Sequence, residues 1–224
     1  MKLSKRLTQI EQLVAPGYTH IWDCCCDHGH LGAALLARHS DAQVHFVDIV
    51  PSLITELESR LQQHYADLAE RWTTHCLDVA LLPLEQYSGR QLVIIAGVGG
   101  DLIKQFVSII QQTHIGLTLD FLLCPVHHQF ALRQTLIELN LSLKDEALIE
   151  ENHRFYEIML VSSESDPGRP ISPVGETIWQ ANSNEQRDVI QRYLQTTLEH
   201  YQRMQQGDTA DVSHIIEAYR SVID

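Results

Sequence analysis

Hydrophobic and polar positions along this 224-residue chain switch repeatedly between helical and extended spacing. Leu3, Leu7, Ile10, Leu13 and Val14 fall on one helical stripe, which Pro16 and Gly17 end. THIWDCC (19–25) predicts a short buried strand, and HLGAALLAR (30–38) a helix. QVHFVDI (43–49) predicts a second strand, and Pro51 is placed to open the helix running through Leu53, Leu57 and Leu61. WTTHC (72–76) is a weaker third strand. QLVIIAGV (91–98) is the continuous apolar run of a central parallel strand, followed by a helix through Leu102, Ile103, Phe106, Val107 and Ile110. DFLLCPV (120–126) and a helix through Phe130, Leu132, Leu136 and Leu139 make the fifth unit.

The rhythm then changes. EALIEE (146–151) and FYEIMLVSS (155–163) are separated only by Asn152, His153 and Arg154, too few residues for a crossover, so a hairpin is predicted. Together these elements predict an α/β, Rossmann-like sheet over residues 1–162 ending in an antiparallel β-hairpin. SESDPGRPISPVG (163–175) has the composition of a linker. Beyond it, Val189, Ile190, Tyr193, Leu194, Leu198, Tyr201 and Met204 form one stripe, which Gly207 breaks. Val212, Ile215, Ile216, Tyr219, Val222 and Ile223 form another, so 163–224 reads as a linker and an antiparallel, coiled-coil-like helical hairpin. Tyr193 and Tyr201 fall on the apolar stripe and are expected in the core.

Composition narrows the class. A hydrophobic share of 44% suits a globular protein with a sizeable core. No apolar run approaches the ~20 residues of a membrane span, and the first residues lack a signal-peptide core, so a cytoplasmic protein is expected. The net charge is −13, shared by residues 1–162 (11 basic, 19 acidic) and 163–224 (5 and 10). This balance argues against non-specific nucleic-acid binding.

The chemistry concentrates in WDCCCDHGHLG (22–32). Cys24, Cys26, His28 and His30 imitate a zinc motif, but on an extended chain alternate residues stand ~6.6 Å apart, too far for four of them to share one ion. No metal is expected, and nearby carboxylates disfavour a reactive thiolate. A strand, an acidic residue, a tight small-residue loop and a helix are instead the architecture that cradles a nucleotide-like cofactor. Asp48, about 20 residues downstream at the end of the second strand, is the expected carboxylate for ribose hydroxyls; capping the next helix is the competing role. A G-x-G-x-x-G pattern is absent.

LSKRL (3–7), D-x-x-x-D-H (23–28), AGVGGDLI (96–103) and YEIM (156–159) occur in the order found in the bacterial tRNA adenine-N1-methyltransferase family called TrmK, which this chain resembles over residues 1–162. The resemblance implies a class I S-adenosylmethionine-dependent methyltransferase fold, S-adenosyl-L-methionine as cofactor and adenine 22 of tRNA as target. It places Asp23 and Asp27 about the loop for the methionine end of the cofactor, with Cys25, His28 and Gly29 in that loop. Cys25 stands where the family prefers glycine, and Cys124 where a polar residue is expected before Pro125. The resemblance further assigns Asp48 to the ribose, Asp78 to the adenine amino group, and Ala96 and Gly97 to the cofactor side of the fourth-strand loop. Gly99, Gly100, Pro125 and Tyr156 would face the target base.

Asp27 is the first candidate to stabilise charge on the methylated base, and Asp101 the second, although Asp101 is better explained as a cap for the helix after it. Alternation along the last strand would point one of Tyr156 and Glu157 inward and the other outward. His127 and His128 are adjacent and make poor joint metal ligands. Lys2, Lys5, Arg6, Lys104, Arg133 and Arg154 are the cations to watch for RNA, each expected as solvated surface charge. A monomer is expected. Two other readings stay open: a methyltransferase on another substrate, favoured by the acidic charge, and a cofactor- or RNA-binding protein without turnover, favoured by Cys25.

Overall fold

The apolar run Leu92–Ile95 is wholly buried at the centre of a seven-stranded sheet. The computed structural model describes residues 3–207 and 211–222; Lys2 and Ile223 lie outside them. In chain order, α1 (Lys5–Leu13) precedes β1 (His20–Cys24), α2 (His30–Arg38), β2 (Gln43–Asp48), α3 (Pro51–His64) and β3 (Trp72–Cys76). Then come β4 (Gln91–Ala96), α4 (Gly100–Thr113), β5 (Leu119–Cys124), α5 (Gln129–Glu138), β6 (Ser142–Glu151) and β7 (Arg154–Ser162), followed by α6 (Asn184–Gln206) and α7 (Ser213–Arg220). The strand order is 3-2-1-4-5-7-6; β1 to β5 pair in parallel and β7 runs antiparallel to both β5 and β6. This is the Rossmann-like α/β sheet ending in an antiparallel hairpin that the sequence predicts.

Alternation along the strands fills two layers. Ile21, Val44, Phe46, Ile94 and Ile158 pack beneath α1, α2 and α3. Trp22, Val47, Val93, Ile95 and Phe121 pack on the other face beneath α4 and α5. The hairpin turn is the pair Asn152 and His153, both left-handed (φ 51° and 59°), a backbone that matches the twist of the strands. β6 begins four residues earlier than its apolar alternation suggests, because a bulge between Leu143 and Asp145 breaks the period.

Two polar constructions sit inside. Arg133 is no surface cation: it is fully buried, its Nε donating to Glu157 and its Nη2 to Glu146, both at 2.7 Å. Glu157 also accepts from the Tyr193 hydroxyl of α6, while Glu146 accepts the backbone N–H groups of Glu176 and Thr177 at 2.6 and 2.7 Å. Tyr156 and Glu157 are therefore both buried, on opposite faces, since helices cover both. The Pro-rich stretch after β7 is tied down, with the Leu143 N–H donating to the Arg169 carbonyl at 2.9 Å and Ile171 and Val174 buried. Secondly, His20, His45 and His75 form a chain across β1, β2 and β3, with ring nitrogens 3.1 and 3.0 Å apart. Trp22 stacks on His45 at 3.8 Å, and burial lowers the His45 pKa to about 3, keeping it neutral.

α6 and α7 pack together through Leu194, Leu198, Ile215 and Val222, and Tyr193 and Tyr219 anchor them to the main sheet domain as core residues. No helix among the described residues is long and apolar enough to cross a membrane.

Candidate functional site

Parallel strands ending at one edge leave a crevice where neighbouring connections turn to opposite faces. Here that point lies between β1 and β4, and the loops after β1, β2, β3 and β4 surround it. Two cavities meet there, sharing Cys25 and Val98 in their walls. The smaller, about 220 Å³, is lined by Arg6, Asp23, Asp27, His28, Ala96 and Gly97, among others. The larger, about 520 Å³, is bounded by Asp48 and Asp78 and by the apolar side chains of Ile49, Leu77, Val79 and Leu102.

The loop after β1 is bent sharply. Cys25 and Asp27 are left-handed (φ 56° and 48°), and Gly29 (φ 64°) stands at the start of α2. Glycine would suit position 25, since a Cβ on a left-handed residue is crowded by the backbone. Buried Asp48 holds the bend: its Oδ2 accepts the Asp27 N–H at 3.1 Å and its Oδ1 the Val50 N–H at 3.0 Å. It organises both loops; the helix after Pro51 has Val50 at its cap.

Asp23 is 4% exposed, and its Oδ2 accepts the Gly32 N–H at 2.8 Å. Burial, reinforced by the charge of Asp48 and opposed by that N–H, lifts its pKa to about 7. Burial likewise pushes the Cys25 thiol up to about 12 and raises Cys24 and Cys26, so all three are thiols rather than thiolates. Asp27 is exposed at the cavity mouth, 3.6 Å from His28. Asp78 accepts the Ala80 N–H at 2.9 Å, which fixes the turn bordering the larger cavity.

Arg6 is the residue that sequence reasoning placed elsewhere. It stacks over Tyr156 at 5.0 Å and lines the smaller cavity, and its buried Nε has no hydrogen-bond partner among the described residues. A cation on an N-terminal helix gave no local signal of this position; only the packing of α1 on β7 supplies it.

Gly99 and Gly100 face the turn after β5 rather than either cavity. A Cβ on Gly99 would come within 2.4 Å of the His127 ring, and one on Gly100 within 2.7 Å of the His127 carbonyl. Pro125 is buried at that turn, and Tyr156 lies beneath Arg6, so these residues border the cleft without lining it. Asp101 does not cap α4, whose cap is Gly99; it pairs with Lys104 at 2.7 Å and with His128. Those hydrogen bonds hold its carboxyl below the usual range. Among the described residues no three His, Cys, Asp or Glu side chains are grouped as metal ligands.

A family model described as a methyltransferase domain matches residues 3–159. Among solved structures, an uncharacterized protein from Listeria monocytogenes superposes with a TM-score of 0.79 at 18% identity, over 100% of both chains. The B. subtilis tRNA methyltransferase TrmK superposes at 0.76 with 20% identity, over 100% of this chain and 99% of its own. M. capricolum TrmK in complex with the cofactor product S-adenosyl-homocysteine superposes at 0.70 with 18% identity, over 99% and 95%. No curated protein matches. At such identities the superpositions establish the fold.

Proposed function

The chain belongs to the methyltransferase-domain family, and from that premise we propose that it is a cytoplasmic, S-adenosylmethionine-dependent enzyme that methylates N1 of adenine 22 in tRNA. The observation carrying this reading is the two-armed cleft, whose lining suits each part of the cofactor. Residues 1–162 serve as the methyltransferase domain and 163–224 as the appended helical domain.

Arg6, whose buried Nε has no hydrogen-bond partner among the described residues, lines a cavity that also holds Asp23 and Asp27. A cation and carboxylates at one end fit the two charges of an amino-acid terminus. Asp48 suits the ribose hydroxyls, and Asp78 the adenine amino group. Ile49, 64% exposed, and Leu102, 39% exposed, offer apolar surface for a flat ring. When bound, the cofactor supplies an electrophilic methyl group on a sulfonium.

The protein's part is alignment of that methyl with the attacking nitrogen, excluding other geometries. As N1 gains the methyl it becomes cationic, and the exposed Asp27 carboxylate at the cavity mouth is placed to stabilise that charge. Structural similarity to the B. subtilis tRNA methyltransferase and to the M. capricolum protein with its bound cofactor product supports the substrate and the cofactor.

The experiment is labelled methyl transfer to an unmodified tRNA transcript carrying adenine 22, beside the same transcript with guanine there. Transfer to the first alone is expected, with reverse transcription stopping at the modified base. Cofactor binding without transfer to either RNA would overturn the tRNA reading.

A further inference from the structure

An enzyme acting on tRNA must hold a polyanion, yet this chain carries a net charge of −13. Much of its basic charge is already engaged by the protein's own groups. Arg133, Lys144 and Arg192 end on Glu146, Asp120 and Glu150, and Arg71 ends on backbone carbonyls. Two exposed arginines differ. Arg154 at the start of β7 and Arg203 near the end of α6 form no ion pair among the described residues, and both border one cavity of about 510 Å³.

That cavity separates the turn after β5 from α6, and its wall also carries His127, His153, His200 and Tyr201. Among the described residues, no carboxylate lines it. The cavities at Asp23 and Asp48, and others at Asp120 and Glu199, each include at least one. In a chain with 29 acidic residues against 16 basic ones, a wall of this size with no carboxylate of its own stands out, and Asp101, hydrogen-bonded to His128 of that wall, is itself paired with Lys104.

Its position is tied to the methyl-transfer cleft. The Val126 N–H donates to the Val98 carbonyl at 3.0 Å, and the Gly100 N–H to the His127 carbonyl at 2.9 Å. Val98 lines both arms of that cleft. The close approach of Gly99 and Gly100 to His127 therefore fastens one wall of the cavity to the loop beside the target base.

We propose that this cavity is the RNA-strand clamp: Arg154 and Arg203 bind phosphodiester groups next to the target adenine, and the imidazoles and Tyr201 contact sugar and base. The proposal rests on the tRNA reading and adds to it the surface that holds the substrate. Guanidinium forks suit phosphate oxygens, and aromatic faces accept an unstacked base of any sequence. The clamp spans the sheet domain and α6, which gives the appended helices a role in catalysis that their packing alone does not require.

The test compares the full-length protein with Arg154→Gln/Arg203→Gln, with Arg154→Lys/Arg203→Lys, and with the charge-matched control Arg187→Gln/Arg220→Gln. Affinity for the unmodified tRNA transcript is measured across a salt series, with cofactor binding and thermal stability recorded for each protein. The glutamine pair in the clamp should weaken tRNA binding by about tenfold or more and lower the salt slope by about two, one for each phosphate left without its arginine. Cofactor affinity should hold, the lysine pair should recover most of the slope, and the control should retain near wild-type binding. Wild-type affinity and slope in the glutamine pair, or an equal loss in the control, would overturn the clamp while leaving the tRNA reading intact. A wild-type protein that binds cofactor and methylates no tRNA would instead sink that reading and the clamp with it.

Discussion

The carboxylate of Asp48 holds the backbone of Asp27: its Oδ2 accepts the Asp27 N–H at 3.1 Å across the gap between β2 and the loop after β1. The ribose candidate and the charge-stabilising candidate are thus one mechanical unit. A side chain credited with binding the cofactor also shapes the loop that carries the proposed catalytic group.

Asp48→Ala should therefore damage both stability and binding. It removes two hydrogen bonds to a charged acceptor, each worth roughly 1.5–3 kcal/mol, and the ribose partner. Urea denaturation should show a loss of about 3–6 kcal/mol, and calorimetry a cofactor affinity reduced about tenfold or more. Asp48→Asn, which keeps one acceptor oxygen, should fall between. Unchanged cofactor affinity in the alanine variant would strip Asp48 of its proposed role at the ribose.

Cys25 holds a left-handed backbone at φ 56°, a conformation costing a side chain roughly 1–2 kcal/mol. Glycine there relieves that strain but loses more freedom on folding, about 0.5–1 kcal/mol. Cys25→Gly should thus raise the melting temperature slightly and tighten cofactor binding. Cys25→Val puts a branched Cβ at the same φ and beside both cavities, so both measurements should worsen. Equal melting temperatures for the two variants would show that the bend is not strained.

The sheet was legible because its information is local. The run at 91–96 and the hairpin flanks announce themselves by period and composition, and TrmK-like motifs mark the cleft loops. What escaped depends on register. His20, His45 and His75 lie on three strands, and nothing in their spacing shows that pairing brings their rings into one chain. Arg133 reads as one more helix cation until β6 and β7 deliver Glu146 and Glu157 to it. Arg6 reads the same way until α1 packs over Tyr156.

Arg133→Met should cost about 3–5 kcal/mol at pH 7, because two buried carboxylates lose their cation. Burial alone would raise Glu146, but Arg133 and the N–H groups of Glu176 and Thr177 hold it below its ordinary value of 4.5. In the wild type this contribution is present above that value and lost as pH falls through the folded pKa. Without Arg133, burial dominates and the sign reverses, so the variant should lose less stability relative to wild type at pH 5 than at pH 7. Urea midpoints at the two pH values measure this; a constant difference would mean that Glu146 still finds a cation.

Asp27→Asn should separate binding from chemistry. Asparagine tolerates the left-handed backbone at φ 48°, so the loop keeps its shape and the Asp48 hydrogen bond to the position-27 N–H persists. Cofactor affinity should change little, while single-turnover methyl transfer falls by about 10²-fold, the usual effect of removing one group that stabilises transition-state charge. Full activity would strip Asp27 of its proposed role.

Asp23 makes the pH behaviour of the cleft predictable. Burial, with the Asp48 charge adding to it, lifts its pKa to about 7 in the free protein, above the unfolded value of 3.8. Its contribution to stability is therefore complete below 3.8 and lost as pH rises through about 7, a slope that Asp23→Asn should abolish. An ammonium group in the cavity selects the ionised carboxylate, so cofactor binding should expel a proton and strengthen with pH. Between about pH 5.5 and 7 the affinity should rise by roughly tenfold in the wild type and stay flat in Asp23→Asn. Calorimetry in two buffers of different ionisation enthalpy would register the released proton directly. A wild-type affinity independent of pH over that range would mean that Asp23 stays protonated, with the proton on the oxygen that does not accept the Gly32 N–H, and that the ammonium is held by another carboxylate, Asp27 being the other one lining that cavity.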